Sequence, residues 1–314
     1  MNARITDKFP RLSDNLRLKM LEIPGEKIDI VLDTDTYTEV DDQFALTYAL
    51  KSTERLNVKA IYAAPFAMNE RASDPKDGME LSYLEILRFL NMLGIEHEGL
   101  VFKGSDRYLQ DARRPVKSPA AMDLIERARH YCSEHPLYVV GIGAATNIAS
   151  ALLLAPDIID KIVVVWLGGN TFDDDNANAY NLYQDVAAAQ VLFDSGVPLI
   201  HVPCYNITSH LLTSVPELEA CIGGKNEACD ALIELVREYG NNRPGWAKVV
   251  WDIGAIACLI NESWAPTKVV QTPHVNEQLT WSFSHNRHLM KVVFAVDRNA
   301  IFSDMYTKLQ SDGV

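Results

Sequence analysis

Residues 28–50 read IDIVLDTDTYTEVDDQFALTYAL, and this stretch decides the fold class. A mostly apolar run of strand length, 28–32, passes directly into Asp33, Asp35, Asp41 and Asp42, and a helical pattern opens immediately after them. Strands rich in Ile, Val and Leu on both faces belong to parallel sheets covered on both sides. In open sheets of that kind ligands bind in the crevice beyond the carboxyl ends of the strands, where these four carboxylates stand.

The rest of the chain repeats the theme. Runs at 58–64, 137–142, 162–167, 197–202 and 291–296 have the same Val/Ile character and alternate with helical patterns. One helix is expected over 79–93, ending at Gly94; another follows Ser118, which stands where an N-cap belongs; a third covers 186–194 and stops near Gly196. The alternation predicts an α/β fold with an open, mostly parallel central sheet flanked by helices and a Rossmann-like core. Residues 1–26 end in the turn signal Pro24-Gly25 and read as an N-terminal extension packed on the surface, with 27–314 forming a single domain. The segment 207–244 has weaker strand character and predicts a helical flank near the site.

Composition narrows the function. With 48% hydrophobic and 23% charged residues the chain has ample apolar surface for a core, and its net charge of −13 would repel a phosphate backbone. No stripe of Lys and Arg interleaved with aromatics reverses that repulsion, so nucleic acid is not an expected partner. Cys132, Cys204, Cys221, Cys229 and Cys258 are odd in number and lack CxxC spacing, which predicts reduced, mostly core thiols. No apolar run approaches the ~20 residues that span a bilayer, and the first residues lack the apolar centre of a secretory signal. A cytoplasmic location is therefore expected, away from the membrane, with the sequons at Asn206 and Asn261 as chance matches.

Like charges this close raise one another's pKa unless a cation offsets them, and an all-oxygen ligand set suits calcium or magnesium, not zinc. The plainer reading is that Asp41 or Asp42 caps the following helix in a solvated acidic turn. Capping alone does not explain an Asp-x-Asp directly after a buried strand.

Several segments, in order, resemble the inosine-uridine preferring nucleoside hydrolase family. Its opening DxDPGxDD is matched by Asp33-Thr34-Asp35, a loop at 36–40 that is two residues longer and lacks Pro-Gly, and Asp41-Asp42. The second strand, which in the family ends in Gly-Asn, keeps Asn69 but carries Met68 in place of the glycine. GIGAATNIA at 141–149 resembles GPLTNIA and places Thr146 and Asn147; Leu167-Gly168-Gly169 resembles a Met-Gly-Gly strand end. NLYQDVAA at 181–188 resembles NxxxDPEAA, and Trp251-Asp252 stands where the family has His-Asp.

The resemblance implies that Asp35, Asp42, the Thr146 carbonyl and Asp252 hold a calcium ion, and that Asp35 is the general base towards a metal-activated water. It places Asp41, Asn69 and Asn181 against the hydroxyls of a ribosyl group, Trp251 towards the leaving group, and Asp33 behind the metal loop as a supporting acceptor. The implied activity is hydrolysis of N-glycosidic bonds in nucleosides or related N-ribosides, in purine or pyrimidine salvage, by a homodimer or homotetramer. Three departures bear on the substrate, one of them the longer 36–40 loop, which the resemblance places beside the sugar site. Trp251 replaces a histidine that can act as general acid, and Ala179 replaces the Glu of an ExN motif ending at Asn181. Asp173, Asp174, Asp175, Asn176 and Asn178 are candidate substitutes for that Glu, and His274, His285 and His288 are late histidines of uncertain role. Two other functions fit parts of the pattern: a haloacid-dehalogenase-like phosphatase with Asp33 as nucleophile and magnesium as metal, and a catalytically silent relative that binds a ribosylated ligand.

Overall fold

In the computed structural model, residues 8–173, 175–241 and 243–311 are described. The strands are β1 (Ile28–Thr34), β2 (Leu56–Ala63), β3 (Val101–Lys103), β4 (Leu137–Gly141), β5 (Ile162–Leu167), β6 (Leu199–Val202), β7 (Leu212–Thr213), β8 (Lys248–Val249), β9 (Thr267–Gln271), β10 (His274–Val275), β11 (Trp281–Ser282) and β12 (Leu289–Val293). Eight of them form one sheet in the order β3-β2-β1-β4-β5-β6-β12-β9. All neighbours are parallel except β12 and β9, so the mostly parallel sheet expected from the apolar runs is present.

Alternate residues of β1 feed two separate cores. Ile30 and Leu32 join one apolar cluster with Phe44 and Phe302, while Val31 joins the other with Val139, Val164 and Ile148. This is what period-two strands covered by helices on both faces must do. From β1 the chain adds strands outward to β3, then returns to place β4 on the other side of β1, so the winding reverses between β1 and β4. The crevice at that reversal, beyond the carboxyl ends, is the ligand position of open α/β sheets.

The flanking helices bear out the cap signals. Ser118 accepts from the Ala121 amide at the start of helix Pro119–Ala128, and helix Val186–Ser195 ends at Gly196 in the left-handed conformation, φ 78°. The helix expected over 79–93 starts earlier, at Pro75, behind an Asp74 cap. The 207–244 flank contains helices Val215–Ile222 and Glu227–Gly240, and β7 pairs with β8 so that Thr213 faces Lys248.

Two expectations needed correction. β3 and β9 were not foreseen, because edge strands show no continuous apolar run: of the three residues of β3 only Val101 is buried, and β9 is largely exposed. The run expected over 291–296 ends at Val293. The described residues before β1 pack against the domain through Phe9, Met20 and Leu21, which are buried, as is Arg17 on helix Asp14–Met20. No helix among the described residues is long and apolar enough to cross a membrane.

Candidate active site

The loop from β1 to helix Asp42–Lys51 is built on short polar contacts. The Asp35 carbonyl accepts from the Thr38 amide at 2.7 Å, closing a turn, and Thr34 Oγ1 donates to Asp42 Oδ1 at 2.5 Å. Asp41 immediately precedes the helix, yet its side chain caps nothing. Its Oδ2 accepts from the Trp251 amide at 3.1 Å and its Oδ1 from Lys248 Nζ at 3.2 Å. The capping explanation of this acidic run therefore fails for Asp41, and Asp42 points to Thr34.

These residues line a cavity of about 130 Å³ at the β1–β4 reversal. Its walls are Asp35, Thr38, Glu39, Asp41 and Asp42 from the first loop, Ile142 and Leu167 just beyond or at the ends of β4 and β5, Ala179, Tyr180 and Asn181, and Cys204, Tyr205, Trp251 and Asp252. Oxygens of Asp41, Asp42 and Asp252 lie within 4.8 Å of one another, all three residues buried. Asp35 is not one of that trio, and neither of its buried oxygens has a partner among the described residues. A Cβ added at Gly143 would sit 2.8 Å from Asp35 Oδ1, so the glycine is what lets this carboxylate lie against the β4 loop.

The electrostatics follow from burial without compensation. Asp35 is raised well above the usual carboxylate range by burial and then by the charges of Asp42, Asp41 and Asp33. Burial and Asp41 raise Asp42, and burial with Asp41, Asp42 and Asp35 raises Asp252. Burial lifts Asp33 to about 7 against the Asn147 amide, which donates to its Oδ1 at 2.8 Å. Lys248 is the opposite case: burial works against its charge, but Asp41 and Glu39 outweigh it and raise its pKa. Burial also pushes the Cys204 thiol up to about 12, so it is no nucleophile at neutral pH.

Among the residues singled out in the sequence, Asp35, Asp41, Asp42, Asn181, Trp251 and Asp252 are brought together in the cavity wall, whereas Asp33, Asn69 and Thr146 do not line it. Asn181 Nδ2 donates to the Ile142 and Leu167 carbonyls at 2.7 and 3.0 Å, tying the ends of β4 and β5. Asn69 is fully engaged elsewhere: Nδ2 donates to Thr38 Oγ1 and the Tyr180 hydroxyl, and Oδ1 accepts from the Arg71 and Ala72 amides. Thr146 Oγ1 donates to Asp185, which caps helix Val186–Ser195. Met68 takes φ 64°, in the left-handed region that favours glycine, the residue the resemblance expects there.

None of the described candidate substitutes for the missing Glu lines the cavity. Asp173, Asp175, Asn176 and Asn178 are exposed and outside the cavity wall; Asp174 lies outside the described residues. His274 and His288 line a different cavity with Arg17 and Arg287, and His285 joins neither wall. Trp166 and Trp281 are core residues. Sequence reading missed Thr38, Glu39, Tyr180, Cys204, Tyr205 and Lys248. Tyr205 packs edge-on to Trp251 at 5.5 Å, so two aromatic rings form the outer wall.

A family model described as inosine-uridine preferring nucleoside hydrolase matches residues 30–303. Among curated relatives, the chain is 30% identical over 192 residues to the pyrimidine-specific ribonucleoside hydrolase RihA of Escherichia coli O81, a match spanning 55% of this chain and 59% of that one. It is 25% identical over 236 residues to the probable uridine nucleosidase 2 of Arabidopsis thaliana, covering 68% and 70%. The fold is shared with a purine-preferring ribonucleoside hydrolase from Gardnerella vaginalis (TM-score 0.71, 21% identity, 90% and 98% covered). A plant nucleoside hydrolase gives a TM-score of 0.69 at 21% identity, over 92% and 100% of the chains.

Proposed function

The chain belongs to the inosine-uridine preferring nucleoside hydrolase family, and on that premise we propose that it hydrolyses the N-glycosidic bond of nucleosides or related N-ribosides with the help of a calcium ion. The observation that carries this reading is the pair of bare Asp35 oxygens beside the buried Asp41, Asp42 and Asp252 trio. Uncompensated buried carboxylates are costly, and a divalent ion offsets that cost. No nitrogen or sulfur ligand enters the trio, which fits a hard cation that takes oxygen ligands.

Asp35, Asp42 and Asp252 would hold the ion, which when bound acidifies a water and anchors sugar oxygens; the Thr146 carbonyl, the fourth ligand the resemblance implies, belongs to a residue outside the cavity wall. Asp35, claimed by no other side chain, takes the proton of the attacking water. Asp41 and the Asn181 amide oxygen orient sugar hydroxyls, and the anionic wall favours the positive charge that builds at the anomeric carbon. Trp251 and Tyr205 flank the leaving group; the indole N–H can donate a hydrogen bond but holds no proton to transfer at neutral pH. Asn69 acts at one remove, holding Thr38 and Tyr180 in place, and Asp33 braces the loop through Asn147.

The phosphatase reading loses its nucleophile, since Asp33 is fully buried, bonded to Asn147 and absent from the cavity wall. The test is a reducing-sugar assay over purine and pyrimidine nucleosides and other N-ribosides. Turnover lost on chelation and restored by calcium is expected. Binding across the panel with no turnover would make the protein a ribosyl-ligand carrier instead.

A further inference from the structure

The 36–40 loop, two residues longer than the family pattern, is fastened on both sides. On one side Arg71 Nη1 donates to the Tyr37 and Glu39 carbonyls, each at 2.8 Å, and Thr38 Oγ1 meets the Tyr180 hydroxyl at 3.0 Å. On the other, Lys248 Nζ on β8 donates to Glu39 Oε2 at 2.5 Å. Lys248 is buried, and its three protons have three acceptors: Glu39 Oε2, Asp41 Oδ1 and the Val249 carbonyl. An ammonium with no donor left cannot also bind a ligand, so it positions its partners.

Glu39 is held at its backbone by Arg71 and at one carboxylate oxygen by Lys248, while no donor among the described residues reaches Oε1. Its side chain remains partly open and lines the same small cavity as Ala179. A methyl group at Ala179 accepts no hydrogen bond, and the acidic residues described before it, Asp173 and Asp175, are exposed. We infer that Glu39, fixed by the positioning residue Lys248, is the carboxylate that accepts a hydroxyl of the substrate's sugar in this chain. The inference rests on the N-riboside reading above. A pre-ordered acceptor binds without the entropy cost of fixing a flexible Glu, which gives the buried lysine a purpose.

The test crosses Glu39→Gln with single hydroxyl deletions on the substrate. Wild type should lose about 10- to 100-fold in kcat/KM on one monodeoxyribonucleoside, the range for a hydrogen bond to a charged group. Glu39→Gln should lose a similar factor on the parent nucleoside and no longer discriminate against that analogue. Lys248→Met should show the same loss of discrimination and Lys248→Arg should restore part of it; if Lys248→Met fails to fold, Glu39→Gln decides alone. Full discrimination retained in Glu39→Gln overturns the inference. If wild type turns over no riboside, the hydrolytic reading fails separately, and thermal-shift titration with D-ribose in calcium still decides Glu39. Weaker ribose binding by Glu39→Gln than by wild type sustains the inference; equal binding, or none by wild type, overturns it.

Discussion

The two ends of the central sheet handle buried charge in opposite ways. At the carboxyl end of β1, Asp35 has no partner for either oxygen and its neighbours raise one another's pKa. At the other end, before β6 and β12, buried cations are committed to the protein. Arg287 donates to the Thr272, Phe193 and Pro273 carbonyls and pairs with Asp194 at 2.6 Å, and the Arg17 Nη groups donate to the Gly196 and Leu12 carbonyls. Burial, with Arg17 and Arg287 close by, pushes His288 down to about 3, so it stays neutral there. The cavity at this end is much larger, about 850 Å³ against about 130 Å³. Size is thus a poor guide to chemistry in this molecule; charge left without a partner is the better one.

Breaking the contrast at its functional end should have the largest effect. Asp35→Asn removes the proposed base, and turnover should fall by about 10²–10⁴-fold. Thermal unfolding of the metal-free variant should occur no lower than for wild type, because the change removes a buried charge that supports no contact. Near-normal kcat would end the general-base assignment, and a large drop in Tm would mean that the crevice acids hold the fold. The mirror experiment is Arg287→Ala, which leaves Asp194 with only His274, at 3.7 Å, as a charged neighbour among the described residues. Because Asp194 is only half-buried, the loss should fall below the cost of breaking a fully buried pair, about 3–5 kcal/mol. Urea unfolding should register that loss while kcat/KM per folded molecule stays unchanged. Falling activity at full stability would invert the comparison.

Much of the crevice was legible because its carboxylates are adjacent in sequence to a strand end: Asp33 and Asp35 close β1, and Asp41 and Asp42 open the next helix. The Glu39–Lys248 latch was not, since 209 residues separate its halves and a lysine in a short strand carries no local mark of burial. Tyr205 and Cys204 lie just beyond β6, a position that could have drawn notice once that strand was assigned. The late histidines lie away from the site for a topological reason: His274 and His288 sit near the amino end of β12, across the sheet from the crevice. Edge strands β3 and β9 escaped because periodicity reports burial, and edges have little of it.

The gentlest probe of the contrast is pH with and without calcium. A carboxyl whose folded pKa is raised keeps its proton in the folded state after the unfolded chain has lost it. Stability therefore falls as pH rises from the ordinary carboxylate range near ~4 through the raised value, and levels off above it. Asp33, at about 7, bounds this window for one group, and Asp35, Asp42 and Asp252 shift in the same direction. Metal-free protein should accordingly unfold at a lower temperature at pH 8 than at pH 5. A cation competes with those protons, so calcium should bind more tightly as pH rises. At a hundredfold excess over Kd it adds about 2.7 kcal/mol, and at fixed calcium the rise in Tm should be larger at pH 8 than at pH 5. At the far end of the sheet, calcium should leave local opening of the backbone amides around Gly196 unchanged. A calcium effect that is equal at both pH values, or larger in acid, would place the ion away from the Asp35 cluster.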